Sequence, residues 1–110
     1  MNLKEILEQA INEQASDVFI VAGLPVSFRK NNVIRQINGE KLFPTDTESL
    51  LAEIYGQAGG RSLKILHDMG DDDFSFAIPG LSRFRVSAYK QRGALSAVIR
   101  IISFNLPDFK

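Results

Sequence analysis

The chain contains no cysteine, which excludes disulfides and thiolate metal ligands and is compatible with a reducing compartment. It also lacks net charge, since 13 Lys and Arg balance 13 Asp and Glu. Without a basic excess, bulk electrostatics will hold neither nucleic acid nor an anionic membrane. No Gly-x-x-x-x-Gly-Lys-Ser/Thr loop occurs, so the segment is expected to cradle no triphosphate in that way and to be inactive as an enzyme alone. The opening residues, MNLKEILEQAINEQ, have no unbroken apolar run and read as neither a signal peptide nor a membrane span. Histidine occurs once, at His67. Attraction to a helix C-terminus accounts for it, because no nucleophile or metal partner is spaced for catalysis. No metal site is expected. The acidic cluster Asp68, Asp71, Asp72 and Asp73 lacks the spacing and terminal Glu of a calcium loop. It reads as a solvated loop or a patch for a basic neighbour.

What is present suits one soluble, cytoplasmic domain. Of 110 residues, 45% are apolar and 24% charged, enough to bury a core without metal or disulfide staples. Leu3, Ile6, Leu7, Ala10 and Ile11 recur at helical spacing, with Asn2 as cap and Glu5 placed for a capping box. The run 18–21 reads as a buried strand. Segments 26–29 and 33–37 flank Lys30-Asn31-Asn32 as a hairpin. A second helix opens at Pro44–Glu48, with Thr45 as expected cap, and stops near Gly56. A short third helix, 62–69, is closed by Gly70.

From Asp73 the period becomes two. Phe74, Phe76 and Ile78 alternate with polar residues, and Ile78-Pro79-Gly80-Leu81 fits a type II turn. Phe84, Val86 and Ala88 form one face of the next strand; Leu95, Ala97, Ile99 and Ile101 form one face of the last. The expected order is α-β-β-β-α-α-β-β-β, an α+β domain with a mainly antiparallel sheet of five or six strands and helices packed on it.

Strand parity then isolates a pair. If the apolar faces of the last two strands meet in the core, Arg85 and Arg100 share the opposite face with Ser87 and Ser96. This holds for a two- or four-residue loop around Gln91-Arg92-Gly93 and fails for three without a bulge. Two guanidiniums on one face can receive a phosphate or carboxylate. They can equally solvate an exposed face and pair with an acidic side chain of a helix. Parity alone leaves both readings open.

Ala15-Ser16-Asp17, Gly23-Leu24-Pro25, Arg29, Asp73-Phe74-Ser75-Phe76, Ile78-Pro79-Gly80, Arg83-Phe84-Arg85-Val86, Gln91-Arg92-Gly93 and Val98-Ile99-Arg100 together resemble the N-terminal domain of the twitching-motility, or type IV pilus retraction, ATPases (the PilT family) within the type II/IV secretion ATPase superfamily. The chain departs from that family's common residues at Phe19, Val26, Ser87 and Ser103, where His, Pro, Asn and Pro are usual.

The resemblance implies a PAS-like domain over residues 1–102. Residues 103–110, ending in Leu106-Pro107-Asp108-Phe109-Lys110, read as the start of a linker to a C-terminal RecA-like ATPase domain. It further implies ATP with Mg between the two domains of a full-length subunit. Arg85 and Arg100 would sense the terminal phosphate, with Arg83 and Arg92 as weaker candidates and no catalytic residue in this segment. Implied partners are the ATPase domains of its own and neighbouring subunits in a homo-hexamer, and a pilus platform at the inner face of the cell membrane. Nucleic acid is not among them, and the segment alone is expected to be a monomer. Glu5, Glu8, Glu13, Lys41, Arg61 and Lys64 are candidate contacts to a neighbour. The other classes considered are a stand-alone PAS-like sensor, which requires an enclosed cavity with inward polar groups, and an adaptor domain.

Overall fold

Asn2 and Glu5 cap each other's backbone: the Glu5 N–H donates to Asn2 Oδ1 and the Asn2 N–H to Glu5 Oε1, both at 2.9 Å. This reciprocal pair starts α1 (Leu3–Asn12) and satisfies two of the donors that a helix N-terminus leaves orphaned. The structure, a computed structural model, describes residues 1–102. The linker expected at 103–110 lies outside the described residues. The remaining elements are β1 (Asp17–Ile20), β2 (Ser27–Lys30), β3 (Val33–Gln36), α2 (Pro44–Gln57), α3 (Leu63–Met69), β4 (Asp71–Ile78), β5 (Ser82–Gln91) and β6 (Ala94–Ile102). The element order is the expected one, and the fold is α+β. Among the described residues, no helix is long and apolar enough to cross a membrane.

Two boundaries move for identifiable reasons. The cap expected at Thr45 falls too late, because Pro44 itself occupies the first turn, where its fixed φ and missing N–H cost nothing. Asp46, not Glu48, reaches back and accepts from the Phe43 N–H at 2.7 Å. The acidic stretch is not a loop: β4 already begins at Asp71. Both tight hairpins use two residues at positive φ, Asn31-Asn32 (53° and 66°) and Arg92-Gly93 (54° and 79°), which matches the twist of the flanking strands. The two-residue option for the last loop is therefore the one realised, with Gln91 opposite Ala94.

All pairings are antiparallel, in the order β3-β2-β1-β6-β5-β4. Two local three-stranded meanders are thus joined through β1 and β6. One face carries Val18, Ile20, Phe28, Phe84, Val86, Ala88, Leu95, Ala97 and Ile99, all buried. Leu7 of α1, Leu51, Ile54 and Tyr55 of α2 and Leu66 of α3 belong to the same core. Burying one such large side chain is worth about 2 kcal/mol. A one-residue slip of β6 would turn Leu95, Ala97 and Ile99 outward together, so the register is firmly specified.

One carboxylate sits on this core face. Asp72 accepts from Arg61 Nε and Nη2 and from the Tyr55 hydroxyl, each at 2.8 Å, while the Arg61 guanidinium also lies 5.1 Å from the Phe74 ring centroid. The cluster ties α2 and the α2–α3 connection to β4. Hydrogen bonding from Arg61, helped by Tyr55, holds the Asp72 carboxyl below the usual carboxylate range despite the burial that opposes it. Burial, followed by the bond to Asp72, pushes the Tyr55 phenol well above its ordinary value.

A folded-state pKa below the unfolded one contributes stability that is present above the unfolded value, near 4, and is lost as pH falls through the lower folded value. Asp72→Asn is accordingly expected to cost on the order of 2 kcal/mol at pH 7. The gap from the parent should narrow below about pH 4, as read by urea denaturation followed by circular dichroism. A gap that does not change with pH would rule out the ionised pair.

Candidate functional site

Residues opposite one another in adjacent strands share a face, so a register can be followed across the whole sheet. Ile34 faces Arg29, Arg29 faces Asp17, Asp17 faces Arg100, Arg100 faces Arg85, and Arg85 faces Ser75. This row crosses all six strands on the side away from the core. Arg85 and Arg100 are direct cross-strand neighbours, which is closer than the shared face required by parity. The next row holds Ser27, Phe19, Val98, Ser87 and Asp73.

Like charges placed opposite each other are unfavourable. Two exposed guanidiniums so placed repel each other, though solvent and salt screen them. An anion between them reverses the sign of that interaction. The adjacent strand supplies the offset that the sequence reading did not see: Asp17 Oδ1 accepts from Arg100 Nε at 3.4 Å. Ser16 Oγ donates to the other oxygen, Oδ2, at 2.8 Å. The Asp17 side chain is 6% exposed and that of Arg100 67%, so the carboxylate is embedded while the guanidinium stands in solvent. The carboxylate partner of Arg100 is on a strand, not on a helix.

Among the described residues Arg85 forms no ion pair and the terminal amines of Arg100 make no hydrogen bond. A cleft of about 180 Å³ opens here, lined by Asp17, Arg85, Ser87, Val98 and Arg100. Guanidinium forks suit phosphate oxygens, whereas the Ser87 hydroxyl already donates to Asp73 Oδ1 at 2.7 Å. The one lining carboxylate is already paired. Such a pair of guanidiniums can neutralise anionic charge.

The other sequence candidates are placed differently. Arg83 lies on the same face opposite Ile102 and lines a neighbouring cleft with Ser75 and Arg85. Arg92 sits in the β5–β6 turn and lines a separate cleft with Phe43 and Ala94. Seven residues of strand, roughly 20 Å, separate it from Arg85, so it does not join the pair. Of the charged residues considered for a neighbour, Arg61 is held by Asp72, Lys64 by Asp68, and Glu13 by Arg35; Glu5 is spent in the α1 cap. Arg29 places its guanidinium 5.3 Å from the Phe19 ring centroid, an arrangement read from register and not from the linear sequence.

No family model matches the chain. Among curated proteins it is 35% identical, over 102 residues, to the type IV pilus retraction ATPase PilT of Pseudomonas aeruginosa. It is 29% identical over 110 residues to the type IV pilus ATPase PilU of the same organism. These alignments take in 93% and 100% of this chain but only 29% and 28% of the relatives, so the chain spans under a third of their length. The crystal structure of the pilus retraction motor PilT with bound ADP superimposes with a TM-score of 0.82 at 31% identity, covering 98% of this chain and 31% of that one. The Legionella pneumophila ATPase DotB gives 0.75 at 26% identity, covering 96% and 30%. In both sequence and fold, the chain belongs with the N-terminal domain of the PilT family of secretion ATPases.

Proposed function

We propose that this chain is the nucleotide-sensing domain of a pilus-retraction-type ATPase, acting joined to a C-terminal RecA-like domain that carries the phosphate loop. The observation that carries this reading is the direct cross-strand pairing of Arg85 with Arg100 on the sheet face away from the core. The lengths of the relatives, more than three times the aligned segment, support the second domain. The ADP bound in the PilT crystal structure supports a nucleotide as the ligand.

In this reading ATP and Mg are held by the C-terminal domain, and the terminal phosphate faces the cleft. The two guanidiniums suit its oxygens, while the Ser87 hydroxyl is spent on Asp73; the cationic lining does not suit Mg, whose ligands would come from the other domain. Charge on the terminal phosphate draws the Arg85/Arg100 face toward the ATPase domain. Hydrolysis removes that contact, and the two domains rotate apart. Arg83 lies near enough to add to the field, and Arg92 acts elsewhere. The subunits form a homo-hexamer in which this domain packs on the neighbouring ATPase domain. The assembly works at the cytoplasmic face of the membrane against a pilus platform. A stand-alone sensor would need an enclosed polar cavity, whereas the interior between sheet and helices is filled by Leu51, Ile54, Tyr55, Leu66 and Phe84.

In a full-length protein carrying this domain, Arg85→Ala and Arg100→Ala should each lower ATP turnover by about 10²-fold. Nucleotide affinity should stay within about threefold, because the phosphate loop still binds. Near-normal turnover in both variants would sink the assignment. The 110-residue chain by itself should neither hydrolyse ATP nor assemble. Phosphate release above background, or a stable hexamer by light scattering, would contradict the division of labour between the domains.

A further inference from the structure

We infer that Asp17 is a positioning residue for the phosphate sensor, one that fixes the direction of Arg100 while leaving its phosphate-binding end open. This rests on the proposed role of Arg85 and Arg100 and adds to it the group that makes the pair usable.

A carboxylate 6% exposed on the outer side of a sheet is costly to bury unless its charge is used. Its ion pair is a single long contact to an arginine that is mostly in solvent, and such contacts contribute little to folding. Fold stability therefore does not account for Asp17, whereas orientation does. The Ser16–Asp17 backbone is clamped from both sides: the Ser16 N–H donates to the Arg29 carbonyl at 2.8 Å and the Ser16 carbonyl accepts from the Ile101 N–H at 3.0 Å. Ser16 Oγ, which donates to Oδ2, then fixes the rotation of the carboxylate. The remaining oxygen meets Arg100 at Nε, the nitrogen nearest the chain. Anchoring a guanidinium there leaves both terminal amines to form a fork toward a phosphate.

Two arginines compete for this carboxylate, since Asp17 lies opposite Arg29 on one side and Arg100 on the other. Phe19 removes the first competitor by holding the Arg29 guanidinium over its ring. Asp17 is thus left to Arg100, where it also offsets the repulsion from Arg85. Without it, Arg100 would swing away from its like-charged neighbour, and an arriving phosphate would have to draw both side chains together against that repulsion.

The test is a mutant cycle on the full-length ATPase, read as kcat and KM for ATP together with Tm. Asp17→Asn, which keeps the size and the Ser16 bond, should lower kcat about 10-fold with KM within twofold and Tm within a few degrees. In an Arg100→Ala background the same substitution should lower kcat no further. A role confined to folding would instead lower Tm and would act equally in both backgrounds. If Arg100→Ala abolishes turnover while Asp17→Asn stays within twofold of the parent, the inference is wrong and the sensor reading stands. If neither arginine variant loses turnover, the sensor reading fails and the inference with it. A further kcat loss on adding Asp17→Asn to Arg100→Ala also overturns the inference. As a signature on the 110-residue chain, the Arg100 Nε–Hε signal in proton–nitrogen NMR should be sharp and protected from exchange. It should broaden or vanish in Asp17→Asn while other arginine signals persist. An unchanged Arg100 signal in that variant counts against the inference.

Discussion

The antiparallel seam between β1 and β6 is the constraint on which the rest of the molecule depends. It joins two local three-stranded meanders into one sheet and gives the helices a continuous surface to cover. Its register aligns Val18 with Ile99 and Ile20 with Ala97 inside the core. The same register necessarily aligns Asp17 with Arg100 on the outside. Hydrophobic burial thus sets an electrostatic contact on the opposite face, because side chains alternate strictly along a strand.

Among the described residues two carboxylates are embedded, and they are satisfied to different degrees. Asp72, on the core side, receives a bidentate guanidinium and a phenol, so its charge is fully absorbed in holding α2 and the α2–α3 connection against β4. Asp17, on the outer side, receives one hydroxyl and one long guanidinium contact. A buried charge left partly satisfied is expensive. Such groups are found where something beyond stability is gained, here the aim of a neighbouring side chain.

Much of this was legible from the residues in order. The α1 capping box, the glycine stop at Gly70, the type II turn at Pro79-Gly80 and the common face of Arg85 and Arg100 all depend on short spacings, which a linear reading captures. What escaped was long-range. Asp17 and Arg100 are 83 positions apart, and nothing local states that β1 pairs with β6 and not with another strand. Consecutive acids suggest a solvated loop or a patch for a basic neighbour, whereas Asp71 and Asp72 already belong to β4. Arg61, which neutralises Asp72, lies in a different element. The cap of α2 was displaced by Pro44, whose own preference for the first turn outranks that of Thr45.

The arginine pair belongs to a tight hairpin, whereas its counter-charge arrives from the far end of the chain. Hairpins close in microseconds through contacts only a few residues apart, while a seam between distant strands must first overcome loop-closure entropy. Local opening at β1 would therefore leave the two guanidiniums side by side but strip away the group that steers one of them. Charge and aim are thus separable in this domain, and any partner that pries at the first strand could mute the proposed sensor without touching either arginine.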